Sequence, residues 1–326
     1  MIKSQLNDIS YPIKEELSCF NDQFKKSMKS RVGLVDLVTR YILKQKGKKI
    51  RPLLVLLSAK ISGQVNDRSY RGAILVELLH SATLVHDDVV DNADKRRGFP
   101  SINAIWKNKV AVLMGDYLLS RGLMIAVEGK DFDFLGIVTD AVKRMSEGEL
   151  LQINKTRKLD IDEATYFRII SDKTASLLST CCQIGAVSSS QNNDYHTAMK
   201  NFGEYIGIAF QIRDDILDYI GTSSIIGKPL GGDIKEKKIT LPLIYALKNS
   251  DQQEASRVLK MIKNGSRDGD VKKIIEFVKN HNGINYAVET AMKYSDKAKE
   301  ELRIFPESPS KEALLALVDF ITERKN

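Results

Sequence analysis

The sequence predicts an all-α fold in a single domain over residues 1–326, and three observations support this prediction. Apolar residues recur at three- and four-residue spacing through most of the chain, which is the period of a helix with one buried face. Aromatic and β-branched residues do not alternate with period two over any long run, as they would in a half-buried strand. Only 20 glycines and 7 prolines occur, and no linker rich in Ser, Gly or Pro interrupts the chain.

The first predicted helices flank a basic loop. An apolar stripe over 34–42 predicts one helix, which leads into the segment 46–52, Lys-Gly-Lys-Lys-Ile-Arg-Pro. Pro52 is expected in the first turn of the next helix, where its fixed φ and missing N–H cost nothing. A third helix is predicted over about 70–91, and the segment 95–100, Lys-Arg-Arg-Gly-Phe-Pro, is expected to stop it.

Helical periodicity continues through the rest of the chain. The glycine-containing segment 221–238 predicts a loop, and 311–324 predicts a last amphipathic helix. The remaining helices are predicted over about 109–128, 132–153, 162–171, 173–190 and 194–220, and from Leu241 onward.

A repeated acidic pattern, Asp-Asp-x-x-Asp, is the most informative feature, and it occurs at 87–91 and again at 214–218. Residues four apart share a helical face, so Asp87 lies above Asp91, and the second copy aligns in the same way. Like charges at this spacing destabilise a helix by roughly a few tenths of a kcal/mol, and a cation would offset that repulsion. Oxygen-only ligands favour Mg²⁺, which shares its coordination shell with substrate phosphates. Two copies therefore predict two carboxylate walls around a metal–diphosphate cluster, whereas one copy alone could be a solvated helix end.

His80 lies on the predicted helix of the first motif. His80, Leu84, Asp87 and Asp91 follow one another at i, i+4, i+7 and i+11, so they form one stripe. We expect this stripe to face one cavity, which favours a binding role for His80 over the alternative of a core histidine.

Basic residues before and after the first motif predict phosphate contacts. Lys48 and Arg51 lie in the basic loop, where backbone freedom at Gly47 lets side chains converge and arginine can bind phosphate through two parallel hydrogen bonds. A basic surface turn is the alternative. Arg96 and Arg97 follow the motif closely enough to complete a diphosphate shell.

Polar residues also accompany the second motif. Gln211 precedes it on the same helical face, and Lys228 and Lys238 lie in the predicted loop, from which they could close over a diphosphate. Lys173 and Thr174 are predicted at a helix start, where backbone N–H groups also favour anions, with an ordinary cap as the alternative. Further polar candidates whose role stays open are Glu149, Gln152 and Asp233.

Composition indicates a small anionic partner and a cytoplasmic location. The formal charge is +8, but the basic residues near the motifs are set among carboxylates that would repel a nucleic-acid backbone, so we expect no nucleic-acid partner. The three cysteines are badly spaced for a disulfide frame or a zinc site. The first residues show no signal peptide, and no uninterrupted apolar run approaches the roughly 20 residues that span a bilayer.

In combination, these motifs resemble those of trans-polyprenyl diphosphate synthases of the long-chain type, which make octaprenyl and solanesyl diphosphates. The resemblance extends from the basic loop at 47–52 to the tail segment 312–317, and so covers essentially the whole chain. Two positions depart from the family pattern. Lys46 stands where the family often has a second glycine, and Ile239 stands before Thr240 where it often has proline. Neither departure removes a charged ligand.

The resemblance implies an isoprenoid synthase fold, a single helical bundle with a central cavity, assembled as a homodimer. It implies Mg²⁺-assisted ionisation of an allylic diphosphate of the geranyl or farnesyl type, condensation with isopentenyl diphosphate and elimination of a proton. The long product is expected to be able to enter membranes.

By motif, the resemblance implies that the isopentenyl diphosphate site is Lys48, Arg51, His80 and Arg97. The allylic diphosphate site is Arg96, Lys173, Thr174, Gln211, Lys228 and Lys238. The Mg²⁺ ligands are Asp87, Asp91 and Asp214, and Asp88, Asp215 and Asp218 complete the catalytic set with Lys173 and Lys228.

Product length is predicted from Ala82 and Thr83. A rise of about 1.5 Å per residue places Ala82 roughly 7–8 Å below Asp87. Short-chain members of the family tend to have large aromatic residues at this level, whereas both residues here are small. The pocket is therefore expected to stay open and to give a hexaprenyl to nonaprenyl product. The alternative is that Ala82 is small because a neighbouring helix packs closely there.

Two other interpretations remain open at this point. A class I terpene cyclase also ionises diphosphates with an Asp-Asp-x-x-Asp helix, but it binds no second diphosphate, so the loop with Lys48 and Arg51 argues against it. A non-catalytic partner subunit of a synthase would be expected to lose one acidic motif, and both are intact.

Overall fold

The computed structural model describes residues 2–45, 47, 49–96, 98–221 and 230–322. Helices make up nearly all the regular structure in these ranges, which confirms the all-α prediction. The one sheet within them is a two-stranded antiparallel ribbon, β1 (Lys95–Arg96) with β2 (Phe99–Pro100). Three predicted site residues, Lys48, Arg97 and Lys228, lie outside the described residues, as do residues 222–229 of the predicted loop 221–238.

The predicted helices are present in the predicted order, and three further helices were not predicted: Ile2–Ser10, Lys14–Ser27 and Gly232–Lys235, the last of which lies within the predicted loop 221–238. In chain order, the helices are α1 (Ile2–Ser10), α2 (Lys14–Ser27), α3 (Gly33–Lys44), α4 (Ile50–Ser62), α5 (Asp67–Val90), α6 (Ile102–Glu128), α7 (Phe132–Lys158), α8 (Glu163–Ile170), α9 (Ser176–Ser189), α10 (Asn193–Ile220), α11 (Gly232–Lys235), α12 (Leu241–Lys248), α13 (Gln252–Lys263), α14 (Asp268–Asn280), α15 (Gly283–Glu301) and α16 (Pro309–Thr322). Short 3₁₀ turns occupy Tyr11–Ile13 and Leu302–Ile304, and a π turn occupies Ser171–Ala175. Helix α6 begins earlier than predicted, because a short first segment precedes a backbone kink at Lys107 (φ 71°).

Backbone contacts group the chain into two compact units, each built from separate stretches. The first unit is Met1–Thr139, Thr180–Met199 and Phe305–Leu314, and the second is Asp140–Ser179, Lys200–Ile304 and Leu315–Asn326. Helices α7, α9, α10 and α16 continue from one unit into the other. The single domain over 1–326 therefore stays a prediction.

The first unit is built around α4 and α5. Helix α4 is buried on almost every side, as expected of a helix that is apolar all round. Gly185 of α9 allows close packing on α4, because a Cβ atom there would lie 2.3 Å from the carbonyl oxygen of Val55. Asn66 is the N-cap of helix α5, and its side chain accepts hydrogen bonds from the N–H groups of Arg68 and Ser69. This cap fixes where α5 begins and therefore where the first acidic motif lies at its other end.

The second unit has an apolar core that surrounds the end of α10. Ile212, Ile216 and Tyr219 of α10 are buried in a cluster with residues of α11, α12 and α14. The Tyr219 hydroxyl also lies 3.1 Å from the hydroxyl of Thr240, just before α12. These contacts hold the helix that carries the second acidic motif.

Helix α6 has an unusually apolar surface. Within the described residues it is the one helix long and apolar enough to cross a membrane by length and composition alone. Only 39% of its most apolar stretch is buried. A core helix of a water-soluble protein can pass the same test. Large apolar side chains exposed on this helix are Ile105, Val112, Leu113, Met124 and Val127.

Candidate active site

The first acidic motif occupies the C-terminal end of α5. Asp87 and Asp91 are exposed, and the Asp91 N–H donates to the carbonyl oxygen of Asp87 at 2.8 Å as the helix ends. A helix C-terminus carries partial negative charge, so the two aligned carboxylates are repelled both by each other and by the helix end. A cation bound here would relieve both repulsions.

The middle residue of the motif is neutralised within the chain. Asp88 is only 4% exposed, and its Oδ1 accepts hydrogen bonds from Nε and Nη2 of Arg96 at 2.8 and 2.6 Å. Arg96 belongs to β1, so the ribbon that follows α5 folds back onto the motif. The pair satisfies the buried charge of Asp88 and holds the guanidinium of Arg96 beside the exposed aspartates.

A cavity of about 80 Å³ opens along one face of α5. The predicted residues on its wall are His80, Leu84, Asp88 and Arg96, and the wall also includes Glu77, Gly47 and Lys49. The stripe was expected to continue through Asp87 and Asp91, and that part of it stays a prediction. Asp88 is buried and lines this cavity, whereas Asp87 and Asp91, at the C-terminal end of α5, are exposed and do not line it.

Glu77 and Lys49 were not singled out by the sequence reasoning. Glu77 lies one turn before His80, and Lys49 belongs to the basic loop. Their positions in the sequence were therefore only weak evidence that they line a site. Arg51 is in the first turn of α4 and is half-buried; Pro52 also lies in that turn, as predicted.

The second acidic motif occupies the last two turns of α10. Asp214 is exposed, whereas Asp215 is 4% exposed and accepts hydrogen bonds from the Tyr166 hydroxyl at 2.7 Å and from Gln211 Nε2 at 2.8 Å. Burial raises the pKa of Asp215 to about 7, the charges of Asp233 and Asp214 act in the same direction, and the two hydrogen bonds oppose the shift. Tyr166 gave no signal in the sequence reasoning, because its partner is 49 residues away.

Asp218 caps the short helix α11. Its Oδ1 and Oδ2 accept hydrogen bonds from the backbone N–H groups of Gly232 and Asp233 at 2.9 and 3.0 Å, and its carbonyl oxygen accepts from Gly231 at 3.0 Å. Gly231 adopts φ 74°, a left-handed conformation that favours glycine. Asp218 thus holds the start of the segment that carries Asp233 and Lys238.

A cavity of about 110 Å³ lies beside these residues in the second unit. It brings together seven residues that the sequence analysis put forward: Gln152, Lys173, Thr174, Gln211, Asp215, Asp233 and Lys238. The Thr174 hydroxyl donates to Gln211 Oε1 at 2.9 Å, and Lys173 Nζ donates to Gln152 Oε1 at 3.0 Å and also pairs with Glu149. Apolar wall residues of the same cavity are Ile161, Ile169, Ile170 and Ile239. Cationic and hydroxyl groups therefore converge at one part of a partly apolar cavity.

The predicted helix start at Lys173 and Thr174 is wrong. Both residues lie in the π turn Ser171–Ala175, which joins α8 to α9, and the Ser176 N–H donates to the carbonyl oxygen of Ser171. A continuous helix offers no free N-terminal N–H groups, so an anion here would contact side chains instead. The sequence suggested a helix start here because Asp172 resembles an N-cap residue. In the structure, its carboxylate instead pairs with Arg144 of α7.

Ala82 and Thr83, the two residues predicted to set product length, lie on α5 before the first acidic motif. Ala82 is buried, and the half-buried Thr83 donates its hydroxyl hydrogen bond to the carbonyl oxygen of His80 at 2.9 Å. Neither of the two cavities described above is lined by Ala82 or Thr83. A tail pocket at this level of α5 stays a prediction.

The exposed carboxylate oxygens of the two acidic motifs fit a hard divalent cation. Within the described residues, no group of three or more His, Cys, Asp or Glu side chains forms a complete metal site. Each motif instead exposes carboxylates with oxygen donors only, Asp87 and Asp91 on α5 and Asp214 on α10. An incomplete set of oxygen ligands suits an ion that keeps several waters and takes further oxygens from a substrate phosphate.

Comparisons with known proteins agree with this description. The polyprenyl synthetase family matches residues 33–278. The chain is 33% identical over 304 residues to an octaprenyl diphosphate synthase of Haemophilus influenzae, covering 93% of this chain and 92% of the relative. This chain is a member of the polyprenyl synthetase family.

Solved structures support the same assignment. A decaprenyl diphosphate synthase from Rhodobacter capsulatus matches with a TM-score of 0.92 and 33% identity, covering 98% of this chain and 99% of that one. A polyprenyl synthase from Caulobacter crescentus, complexed with calcium and isoprenyl diphosphate, matches with a TM-score of 0.89 and 33% identity over 98% of both chains. The predicted family, fold and prenyltransferase class are confirmed, and the cyclase and non-catalytic alternatives are not supported.

The role of Asp218 as a cap gives a first prediction. Asp218→Ala removes two hydrogen bonds from a charged acceptor, each worth about 1.5–3 kcal/mol, so the amides of Gly232 and Asp233 should exchange with solvent at least about tenfold faster. Hydrogen exchange of the metal-free protein measures this directly. Asp214→Ala, which alters an exposed aspartate of the same motif, is the matched control and should leave these amides unchanged. Equal exchange in wild type and Asp218→Ala would contradict the capping role.

Proposed function

We propose that this chain is a long-chain trans-prenyltransferase that condenses isopentenyl diphosphate with an allylic diphosphate to give a polyprenyl diphosphate. The observation that carries the proposal is the position of both acidic motifs at helix C-terminal ends, where exposed carboxylates and the negative helix end together favour a cation. Each motif also keeps a buried middle aspartate satisfied by the chain itself. This arrangement fits repeated binding and release of a metal–diphosphate group.

We propose Mg²⁺ as the cation. Asp87 and Asp91 would hold it at the first motif, and Asp214 at the second, since all three expose hard oxygen donors. When bound, Mg²⁺ supplies Lewis acidity that neutralises the diphosphate as its bond to the allylic carbon breaks. Arg96 adds a fixed positive charge beside the first motif through its contact with Asp88.

The cavity of the second unit supports binding of the allylic diphosphate. Lys173 and Lys238 provide positive charge, and Thr174 and Gln211 provide hydrogen bonds that orient the phosphate oxygens. The apolar wall described above favours an isoprenoid tail over water, which protects a developing allylic cation from hydrolysis. Lys228, predicted to assist here, lies outside the described residues.

The cavity of the first unit supports binding of isopentenyl diphosphate. His80 lies on its wall with Gly47 and Lys49 of the basic loop, and Arg51 lies in the first turn of α4. These residues would bind the diphosphate and present the double bond. The π electrons form the new carbon–carbon bond, the diphosphate leaves with the electrons of the broken bond, and loss of a proton restores a double bond. We assign the base to the departing diphosphate.

A product assay tests the function. Wild-type protein incubated with isopentenyl and farnesyl diphosphates and Mg²⁺ should yield prenyl diphosphates that are longer by successive five-carbon units on chromatography. Asp87→Ala should lower turnover at saturating substrate at least about hundredfold, because metal neutralisation supplies several kcal/mol. Its thermal unfolding should be unchanged or shifted upward, since a repulsive charge is lost. Near-normal turnover of this variant, or no elongation by wild type with several allylic starters, would refute the assignment.

Product length should depend on Ala82. We propose that the growing tail runs along α5 from Asp87 towards its N-terminus and passes the small residues Ala82 and Thr83. Ala82→Phe should then shorten the main product by several isoprene units while elongation from farnesyl diphosphate continues, because the aspartates are untouched. Ala82 is buried, so the variant's unfolding temperature is measured in parallel. A folded, active variant with an unchanged product distribution would show that the tail takes another route.

We propose that the apolar face of α6 contacts a second copy of this chain. Leu113 is 58% exposed, and it lies with the other exposed apolar residues of this helix. A second copy would bury this surface without placing the charged side chains of α6, such as Asp116 and Arg121, in lipid. Sedimentation should give a dimer mass for wild type at micromolar concentration and a monomer for Leu113→Glu. Lys143→Glu, a charge change on the exposed surface of α7, is the control. A wild-type monomer that binds lipid vesicles would favour a membrane contact instead.

A further inference from the structure

Every residue of the π turn from Ser171 to Thr174 is bonded to a neighbouring helix. Ser171 and Asp172 contact Arg144 of α7, and Ser171 also contacts Glu204 of α10. Lys173 and Thr174 contact α7 and α10 through the glutamine partners described above. Four consecutive side chains thus tie one turn to two helices, and the last two of them also line the cavity of the second unit.

Two glycines bring the backbones of α7 and α10 close to this turn. A Cβ atom at Gly148 of α7 would lie 2.9 Å from Asp172 Cβ and 3.0 Å from the Lys173 nitrogen. A Cβ atom at Gly207 of α10 would lie 2.5 Å from Ala175 Cα. The turn is therefore packed closely on two sides, which limits sliding along either helix.

Arg144 is the centre of the polar contacts on this turn. Its Nε donates to Asp172 Oδ1 at 2.8 Å, and its Nη2 donates to Glu204 Oε1 at 2.7 Å and to the Ser171 hydroxyl at 2.8 Å. Burial by itself would lower the pKa of Arg144, but the hydrogen bonds and charges of Glu204 and Asp172 raise it, so the guanidinium stays charged. A planar guanidinium can bond all three partners at once, whereas a lysine ammonium cannot match this geometry.

The register of the π turn determines which side chains face the cavity. A π turn bonds residue i to i+5 and so contains one residue more than an α turn, and such turns occur frequently at functional sites. Relaxation to α geometry would rotate one flank of the turn by about 100° relative to the other. Lys173 and Thr174 would then not both face the cavity.

We infer that Arg144 is a positioning residue for the diphosphate end of this cavity. Together with Asp172 and Glu204, it holds the π turn in the register that presents Lys173 and Thr174. The identity of the ligand rests on the proposed function, whereas the control of register rests on the contacts alone. Arg144 itself is not among the residues that line the cavity.

Two variants of Arg144 test the inference. Arg144→Met keeps much of the length and loses the charge, and Arg144→Lys keeps the charge and loses the forked geometry. Both should raise the KM for farnesyl diphosphate at least about tenfold and change the KM for isopentenyl diphosphate less than about twofold. Both should weaken binding of farnesyl thiodiphosphate, an unreactive analogue, to a similar degree. Glu204→Gln keeps side-chain volume and should give a smaller effect in the same direction.

Hydrogen exchange provides a readout that does not depend on substrate. The amides of residues 171–176 should exchange at least about tenfold faster in Arg144→Met than in wild type. The matched control is Arg168→Ala, because Arg168 reaches Asp172 only at 3.8 Å and its side chain is 66% exposed. This control should match wild type in exchange, in both KM values and in unfolding temperature.

The outcomes separate this inference from the proposed function. Unchanged exchange and an unchanged KM for farnesyl diphosphate in folded Arg144→Lys and Glu204→Gln would overturn the positioning role, even if Arg144→Met does not fold. Faster exchange in a protein whose wild type neither elongates farnesyl diphosphate nor binds its thio analogue would support the control of register and refute the proposed ligand. An equal increase in both KM values would indicate a general structural role and would also overturn the inference.

Discussion

The arrangement of the candidate site depends on one electrostatic constraint, the placement of carboxylates at the negative ends of helices. Both acidic motifs lie at C-terminal ends, where the helix dipole adds to the mutual repulsion of the aspartates. The chain relieves this repulsion for one aspartate in each motif. Asp88 pairs with Arg96, and Asp215 is buried against the hydroxyl of Tyr166 and the amide of Gln211. Asp87, Asp91 and Asp214 are exposed at these negative helix ends, and their mutual repulsion favours the approach of a cation.

Other elements of each unit are placed in relation to these helix ends. In the first unit, the ribbon after α5 returns Arg96 to the motif, and the cavity along α5 includes the basic loop that precedes α4. In the second unit, Asp218 anchors α11, while the π turn brings Lys173 beside α7 and Thr174 beside α10. Each unit therefore combines one acidic helix end with cationic groups held by local backbone contacts. Such a combination suits a ligand that is itself a polyanion bound to a metal.

The sequence predicted the helices and the acidic motifs well, because both depend on local spacing. Helical periodicity predicted that His80 and Leu84 share a face, and both line the cavity of the first unit, but it gave no sign that Asp88 lines this cavity too. The π turn was missed for a related reason. Asp172 looks like an N-cap in sequence, but its partner Arg144 is 28 residues earlier, and only tertiary packing reveals the pair. Tyr166 was missed because nothing near it in sequence marks its contact with Asp215.

The aspartates of the second unit show that residue type and spacing alone do not determine the role of a carboxylate. Asp172 faces a guanidinium and acts as a structural anion, whereas Asp218 faces backbone N–H groups and acts as a cap. Asp215 is buried, and burial raises its pKa to about 7 although its two neutral donors oppose the shift, so it can hold a proton near neutral pH. Asp214 is exposed, where an ion from solvent can reach it. Four aspartates of identical chemistry thus differ through the partner that each one meets, and the partner is a property of the fold.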